Sequence, residues 1–202
     1  MPRTFRFITS WIVFGLLMTV MFLPSDAKAA VVTDTNGNII QPFQAWADIA
    51  SKRGLPTPDV SVDANSVGCP TLEDTIACVH MNTSLIHICT IGCFVVDPSY
   101  VFWHEMGHVF SFISYRNVGF AFQRIMGDKR KWREGAAPPI EQFAEAYALC
   151  VSNPKRLPRT QWYGYQYEPT NKQHKQVCRM LQRQKGLPMY TFDNLPTHQN
   201  IR

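Results

Sequence analysis

Several features are missing from this sequence, and each absence removes a class of protein. No dense basic stripe with interleaved aromatics occurs, so nucleic acid is not an expected partner. The formal net charge is +5, of which Arg3, Arg6, Lys28 and Asp26 hold +2, leaving a mild +3 from residue 30 onward. There is no internal repeat and no low-complexity tract, and the charged and apolar fractions are those of a folded globular chain. Short paired cysteine spacings are scarce: only Cys89 and Cys93 come near one, which argues against a cysteine zinc site. The apolar run Trp11 to Leu23 lacks a stop-transfer flank, and its core is short for a bilayer span, so no lasting membrane insertion is expected. No cysteine lies beside Ala27-Lys28-Ala29, which argues against a lipid-anchored lipoprotein.

What the sequence does contain begins with a leader. Arg3 and Arg6 precede the apolar run, Pro24 breaks it, and small residues stand where a signal peptidase reads, predicting cleavage after Ala29 and a secreted product. The 202 residues then divide into a signal peptide, 1–29, and a single domain, 30–202, expected to be monomeric. All six cysteines (Cys69, Cys78, Cys89, Cys93, Cys150 and Cys178) follow the leader, and an even count in an exported chain reads as three disulfides. Cys69 with Cys78 would close a small loop. Cys150 with Cys178 would tie a helix end to the C-terminal segment. Cys89 and Cys93 could pair locally or exchange partners with the others.

Periodicity gives a coarse map. Val31 to Gln41 is polar, with a turn at Asn36-Gly37-Asn38. Phe43 to Lys52 has helical spacing and stops at Arg53-Gly54, and Val60 to Val67 alternates as a strand does. Ile76 to Met81 and Leu85 to Cys89 read as a hairpin, and Phe94-Val95-Val96 as a further short strand. Asp97-Pro98-Ser99 supplies a helix start, and the helix runs to about Tyr115, apolar on nearly every face. Asn117 to Lys131 reads as a second helix or an irregular segment. Pro138-Pro139 opens a helix over Ile140 to Val151, and Lys172 to Gln184 forms a basic amphipathic helix. Beyond Gly186 the chain reads as loosely ordered. The expected class is α+β: a small twisted sheet over Val60 to Val96, packed on a central helix with a second helix behind it.

The central helix carries His104-Glu105-Met106-Gly107-His108. Histidines four apart project from one face and can grip one metal ion, while the adjacent Glu105 can serve a bound water as a base. A catalytic zinc keeps three protein ligands and an open position. A third histidine soon after the motif would need Gly at 111 and His at 114; Ser111 and Ser114 stand there, which excludes that class. Glu141 and Glu145 instead share a helical face downstream. One can bind the ion and the other can accept the free ring N–H of a ligand histidine. Gly107 reads as room for a neighbouring backbone.

The histidine motif, followed some thirty residues later by a Glu-x-x-x-Glu helix, resembles the gluzincin branch of zinc metallopeptidases. Glu141-Gln142-Phe143-Ala144-Glu145-Ala146-Tyr147 is similar to its small secreted and toxin-type members, and the resemblance covers roughly Ile76 to Val151. It implies a zincin-like fold with one zinc held by His104, His108 and Glu141, Glu105 as general base, and Glu145 behind a ligand histidine. It also implies peptide or protein substrates, paired in extended form with part of Leu85 to Val96. The family's oxyanion donor is not assignable by motif: Tyr163, Tyr165, Tyr167 and His174 are the candidates, with Tyr115 and Tyr147 equally readable as packing. The other reading is a secreted binding or toxin-like module with a structural zinc or lapsed catalysis, for which Glu145 would close the fourth position. Residues 30–54 could be an inhibitory propeptide or the first helix of the domain.

Overall fold

The structure, a computed structural model, describes residues 30–70, 75–80, 83–90, 93, 97–135, 137–155 and 164–185, with the side chains of 115–117 excepted. The leader and its cleavage point, the strand at Phe94 to Val96, Tyr163, the Tyr115 side chain and the segment beyond Gly186 lie outside the described residues.

Four strands, β1 (Val32–Asp34), β2 (Val60–Asn65), β3 (Ala77–Val79) and β4 (Leu85–Cys89), form one sheet in the order β1-β2-β4-β3. β1 and β2 are parallel, as are β2 and β4, while β3 and β4 are the expected antiparallel pair. The alternation in β2 is the reason for its register: Val60 and Val62 are buried, and Ser61 and Asp63 face the other side. The sheet starts earlier than Val60, because β1 adds an edge strand where the sequence reads as polar. Its Val32 is fully buried, and Gln44 stitches it in place, accepting from the Val32 N–H at 2.9 Å and donating to the Ala30 carbonyl at 2.9 Å.

Helix α1 (Phe43–Lys52) ends at Arg53, with Gly54 at φ +81°, as its sequence predicts. Residues 30–54 supply β1, which pairs with β2, and α1. Helix α2 (Pro98–Met126) begins where Asp97 accepts from the Ser99 N–H at 2.9 Å, with Pro98 in the first turn. It does not stop near Tyr115. It runs on to a left-handed Gly127 whose N–H reaches the Gln123 carbonyl. The continuation buries Val118 and Phe122, and Phe122 meets Trp132 at 6.1 Å and Phe143 at 5.4 Å. Burying two such side chains is worth roughly 3–6 kcal/mol, which outweighs the ~1 kcal/mol cost of Gly119 inside a helix.

Helix α3 (Pro139–Ser152) is buried almost throughout and packs against α2. Helix α4 (Asn171–Gln182) starts with a Thr170–Gln173 capping box and turns Val177, Cys178 and Leu181 inward. α2 thus lies at the centre, touched by α1, α3, α4, β3 and β4. Three disulfides close the framework, Cys69–Cys78, Cys89–Cys93 and Cys150–Cys178, so the local pairing of Cys89 and Cys93 is the one realised. Three bridges fit an oxidising, extracellular setting. No helix among the described residues is long and apolar enough to cross a membrane.

Candidate metal centre

The site is built where α2 and α3 cross. A Cβ at Gly107 would stand 2.9 Å from Ala144 Cα and 2.9 Å from Tyr147 Cβ, so the missing side chain sets the closeness of the two helices. That crossing brings one pair of side chains from each helix together. His104 and His108, four apart on α2, set their rings 4.9 Å centroid to centroid. Glu141 from the first turn of α3 places one oxygen, Oε2, 3.3 Å from His104 Nε2 and 3.2 Å from His108 Nε2. Glu145, one turn on, lies instead at His104 Nδ1, at 3.3 Å, and its other oxygen accepts from the Tyr100 hydroxyl at 2.6 Å.

The donor set fits a metal. The ligand atoms of His104, His108 and Glu141 lie within 4.8 Å of one another, two imidazole nitrogens and a carboxylate oxygen of the kind that divalent ions such as zinc take. A second trio, Cys150, His174 and Cys178, is as close, but its two sulfurs are bonded to each other and offer no thiolate.

Electrostatics set the metal-free state of the cluster. Burial pulls the His104 imidazole down, but hydrogen bonds to Glu141 and Glu145 outweigh it, and His104 is pushed up to about 10. Burial pushes Glu141 up, yet its bonds to both histidines win and hold its carboxyl well below the usual range. Glu105 is buried on the same helix, and burial pushes its carboxyl up against the pull of the His108 and His104 charges. A base raised toward the working pH is suited to taking and returning a proton.

Of the three candidate oxyanion donors among the described residues, Tyr165 reaches the site. Its ring stacks on His104 at 5.1 Å, and burial, followed by the charges of Glu141, Glu105 and Glu145, pushes its phenol up to about 12. Tyr165 and Gln166 both hold left-handed backbone, at φ 56° and 58°, a conformation that costs roughly 1 kcal/mol or more per non-glycine residue. Gln142, beside Glu141, tethers that turn by donating to the Gln166 carbonyl at 3.3 Å. Tyr167 and His174 are elsewhere. Tyr167 is fully buried and stacks on Phe122, and His174 bonds the Asn153 carbonyl at 2.8 Å beside the Cys150–Cys178 bridge. Cys150 stands nine residues, about 13 Å of helix, beyond Glu141. Tyr147 is a packing residue, buried and donating to the Pro56 carbonyl at 2.7 Å.

Three neighbours escape the sequence reading. Tyr100 sits one turn before His104, a spacing that marks the same face. Phe112, one turn after His108, stacks on it at 6.3 Å, and the Arg133 guanidinium lies 5.5 Å over the Phe112 ring. Only the four-residue spacing of Tyr100 and Phe112 could have signalled them. Compared with protein-family profiles, with curated proteins and with solved structures, the chain gives no match.

Proposed function

We propose that this chain is an exported zinc peptidase of the gluzincin type, on a zincin-like fold, hydrolysing peptide bonds with Glu105 as general base. The observation that carries the reading is the single Glu141 oxygen lying within 3.3 Å of both histidine Nε2 atoms, which makes three converging donors. Zinc held by His104, His108 and Glu141 would supply a water acidified toward neutrality and a Lewis acid for the scissile carbonyl. Glu105 takes a proton from the attacking water and returns it to the leaving amine. Glu145 accepts the His104 Nδ1–H and so fixes that ring with Nε2 as the ligand atom. The Tyr165 hydroxyl is the donor for charge developing on the carbonyl oxygen. The placement of Glu145 at Nδ1, rather than among the Nε2 donors, favours an open fourth position over the binding-module reading. Secretion rests on the leader together with the three bridges.

Digestion of a peptide library by zinc-loaded protein, with and without chelator, tests the activity. Chelator-sensitive cleavage is expected, and no cleavage by the zinc-loaded protein would remove the proposal.

Two further outcomes follow from the site. At pH 7 the metal-free protein holds a proton on His104, since its value stands near 10, whereas a ligand imidazole must be neutral. Zinc binding at pH 7 is expected to release about one proton, and zinc affinity to rise about tenfold per pH unit until His104 deprotonates near pH 10. Calorimetry in two buffers of different ionisation enthalpy measures the proton count, and a count of zero contradicts the cluster described here. Tyr165→Phe is expected to lower kcat by about 10²-fold with little change in KM or zinc content. Steady-state kinetics beside metal analysis decide whether the phenol acts in the transition state or merely packs.

A further inference from the structure

The polar side chains where α2 and α3 cross form a ladder whose members alternate between the two helices. Tyr100, His104 and His108 follow one another at four-residue intervals on α2, and Glu145 and Glu141 do so on α3, so each set stands on one helical face. The Tyr100 hydroxyl donates to Glu145 Oε1 at 2.6 Å, and Glu145 Oε2 lies 3.3 Å from His104 Nδ1. On the far side of that ring His104 Nε2 lies 3.3 Å from Glu141 Oε2, which is 3.2 Å from His108 Nε2. Donors held about 2 Å from a tetrahedral zinc stand about 3.3 Å from one another, so both separations to Glu141 already match that spacing. Tyr100 ends the ladder on the side away from the metal donors.

The distances decide which contact positions Glu145. A 2.6 Å hydroxyl–carboxylate bond is at the short, strong end for a charge-assisted pair, whereas 3.3 Å from an imidazole nitrogen is longer than the usual range. Glu145 is 4% exposed, so bulk water has little access to its carboxylate. The hydroxyl therefore sets where the carboxylate stands, and the carboxylate in turn aims the His104 ring. Tyr100 takes its own position from the same helix as that ring, one turn or about 5.4 Å earlier.

We infer that Tyr100 is a positioning residue of the metal centre: through Glu145 it holds the His104 ring with Nε2 toward Glu141 and His108, and so preorganises the three donors for zinc. Its hydroxyl bonds the carboxylate behind the ligand, and its effect on the metal passes through Glu145. This role rests on the zinc ligand set proposed above and not on peptide hydrolysis. Outer partners of this kind are worth about 10–100-fold in metal affinity. Satisfying a buried carboxylate is the ordinary duty of such a hydroxyl, and that duty alone predicts lower stability with unchanged metal affinity.

Zinc affinity by chelator competition, measured beside a thermal melt on the disulfide-bonded protein, separates the two. Tyr100→Phe, which removes one oxygen and keeps the ring, is expected to bind one zinc about tenfold more weakly than the parent. Tyr147→Phe also removes a buried hydroxyl, the one that donates to the Pro56 carbonyl, and should melt lower with the parent's affinity. In a Glu145→Ala background, itself weakened, adding Tyr100→Phe should change affinity by less than about twofold, because the group it acts through is gone. Unchanged affinity in Tyr100→Phe, an equal loss in Tyr147→Phe, or the full tenfold loss persisting in Glu145→Ala would each overturn the inference. Should Glu145→Ala not fold, the comparison of Tyr100→Phe with Tyr147→Phe decides alone. A parent that binds no zinc would remove the ligand set and this role together. A parent that binds zinc and cleaves no peptide would remove the peptidase and leave this role standing.

Discussion

Glu105→Gln is expected to keep one zinc per chain and to lose about 10²–10⁴-fold in turnover. The separation of the two properties follows from where the side chain sits. Glu105 shares the turn with His104, but its influence on both histidines is through charge, whereas Glu141 and Glu145 hold their ring nitrogens by direct hydrogen bonds. Glutamine keeps the volume of the buried side chain and removes only its ability to take a proton. Because the carboxylate it replaces is buried and destabilised by that burial, the variant should be at least as stable as the parent. Metal analysis, a thermal melt and kcat on one peptide substrate measure all three quantities. Undiminished turnover in a zinc-loaded variant would show that Glu105 is not the base, and the mechanism would need another.

What could be read from the sequence was what local chemistry dictates. The bounds of α1 followed from the spacing of Phe43, Ala47 and Ala50 and from Gly54, and the start of α2 from Asp97-Pro98. The donor trio was legible because both pairs, His104 with His108 and Glu141 with Glu145, depend only on a four-residue helical repeat. Features set by tertiary contact were not legible. β1 is three residues long, and its strand character comes from β2 and from Gln44, neither adjacent in sequence. The second half of α2 has helical apolar spacing in Val118, Ala121, Phe122 and Ile125, but polar Arg116-Asn117 and Gly119 hide its continuity with the first half, which Phe122 supports by packing against Trp132 and Phe143. The separation of Tyr165 from Tyr167 and His174 is of the same kind. Two consecutive left-handed residues aim Tyr165 at His104, and no periodicity in an aromatic loop announces that conformation.

Gly107→Ala is expected to damage both fold and site. Helix propensity alone would favour alanine by about 1 kcal/mol. Against that, the new Cβ would meet Ala144 Cα and Tyr147 Cβ at 2.9 Å and the Ala144 carbonyl oxygen at 3.3 Å, none of them the free end of a flexible side chain. Relief requires α2 and α3 to part by roughly 1 Å, and overpacking of this kind costs about 3 kcal/mol. The net loss, about 2 kcal/mol, corresponds to a melting temperature lower by roughly 4–8 °C in a chain of this size. The same displacement draws Glu141 away from both imidazoles, because Glu141 and Ala144 are on one rigid helix while His104 and His108 flank Gly107 on the other. Zinc affinity and turnover should therefore each fall by about 10²-fold, a larger loss than the stability change alone would produce in a folded population. A melt and a chelator-competition titration on the same sample decide the matter. A more stable variant with unaltered zinc affinity would mean that propensity outweighs the crossing, and that the separation of the two helices is not what brings the carboxylate to the histidines.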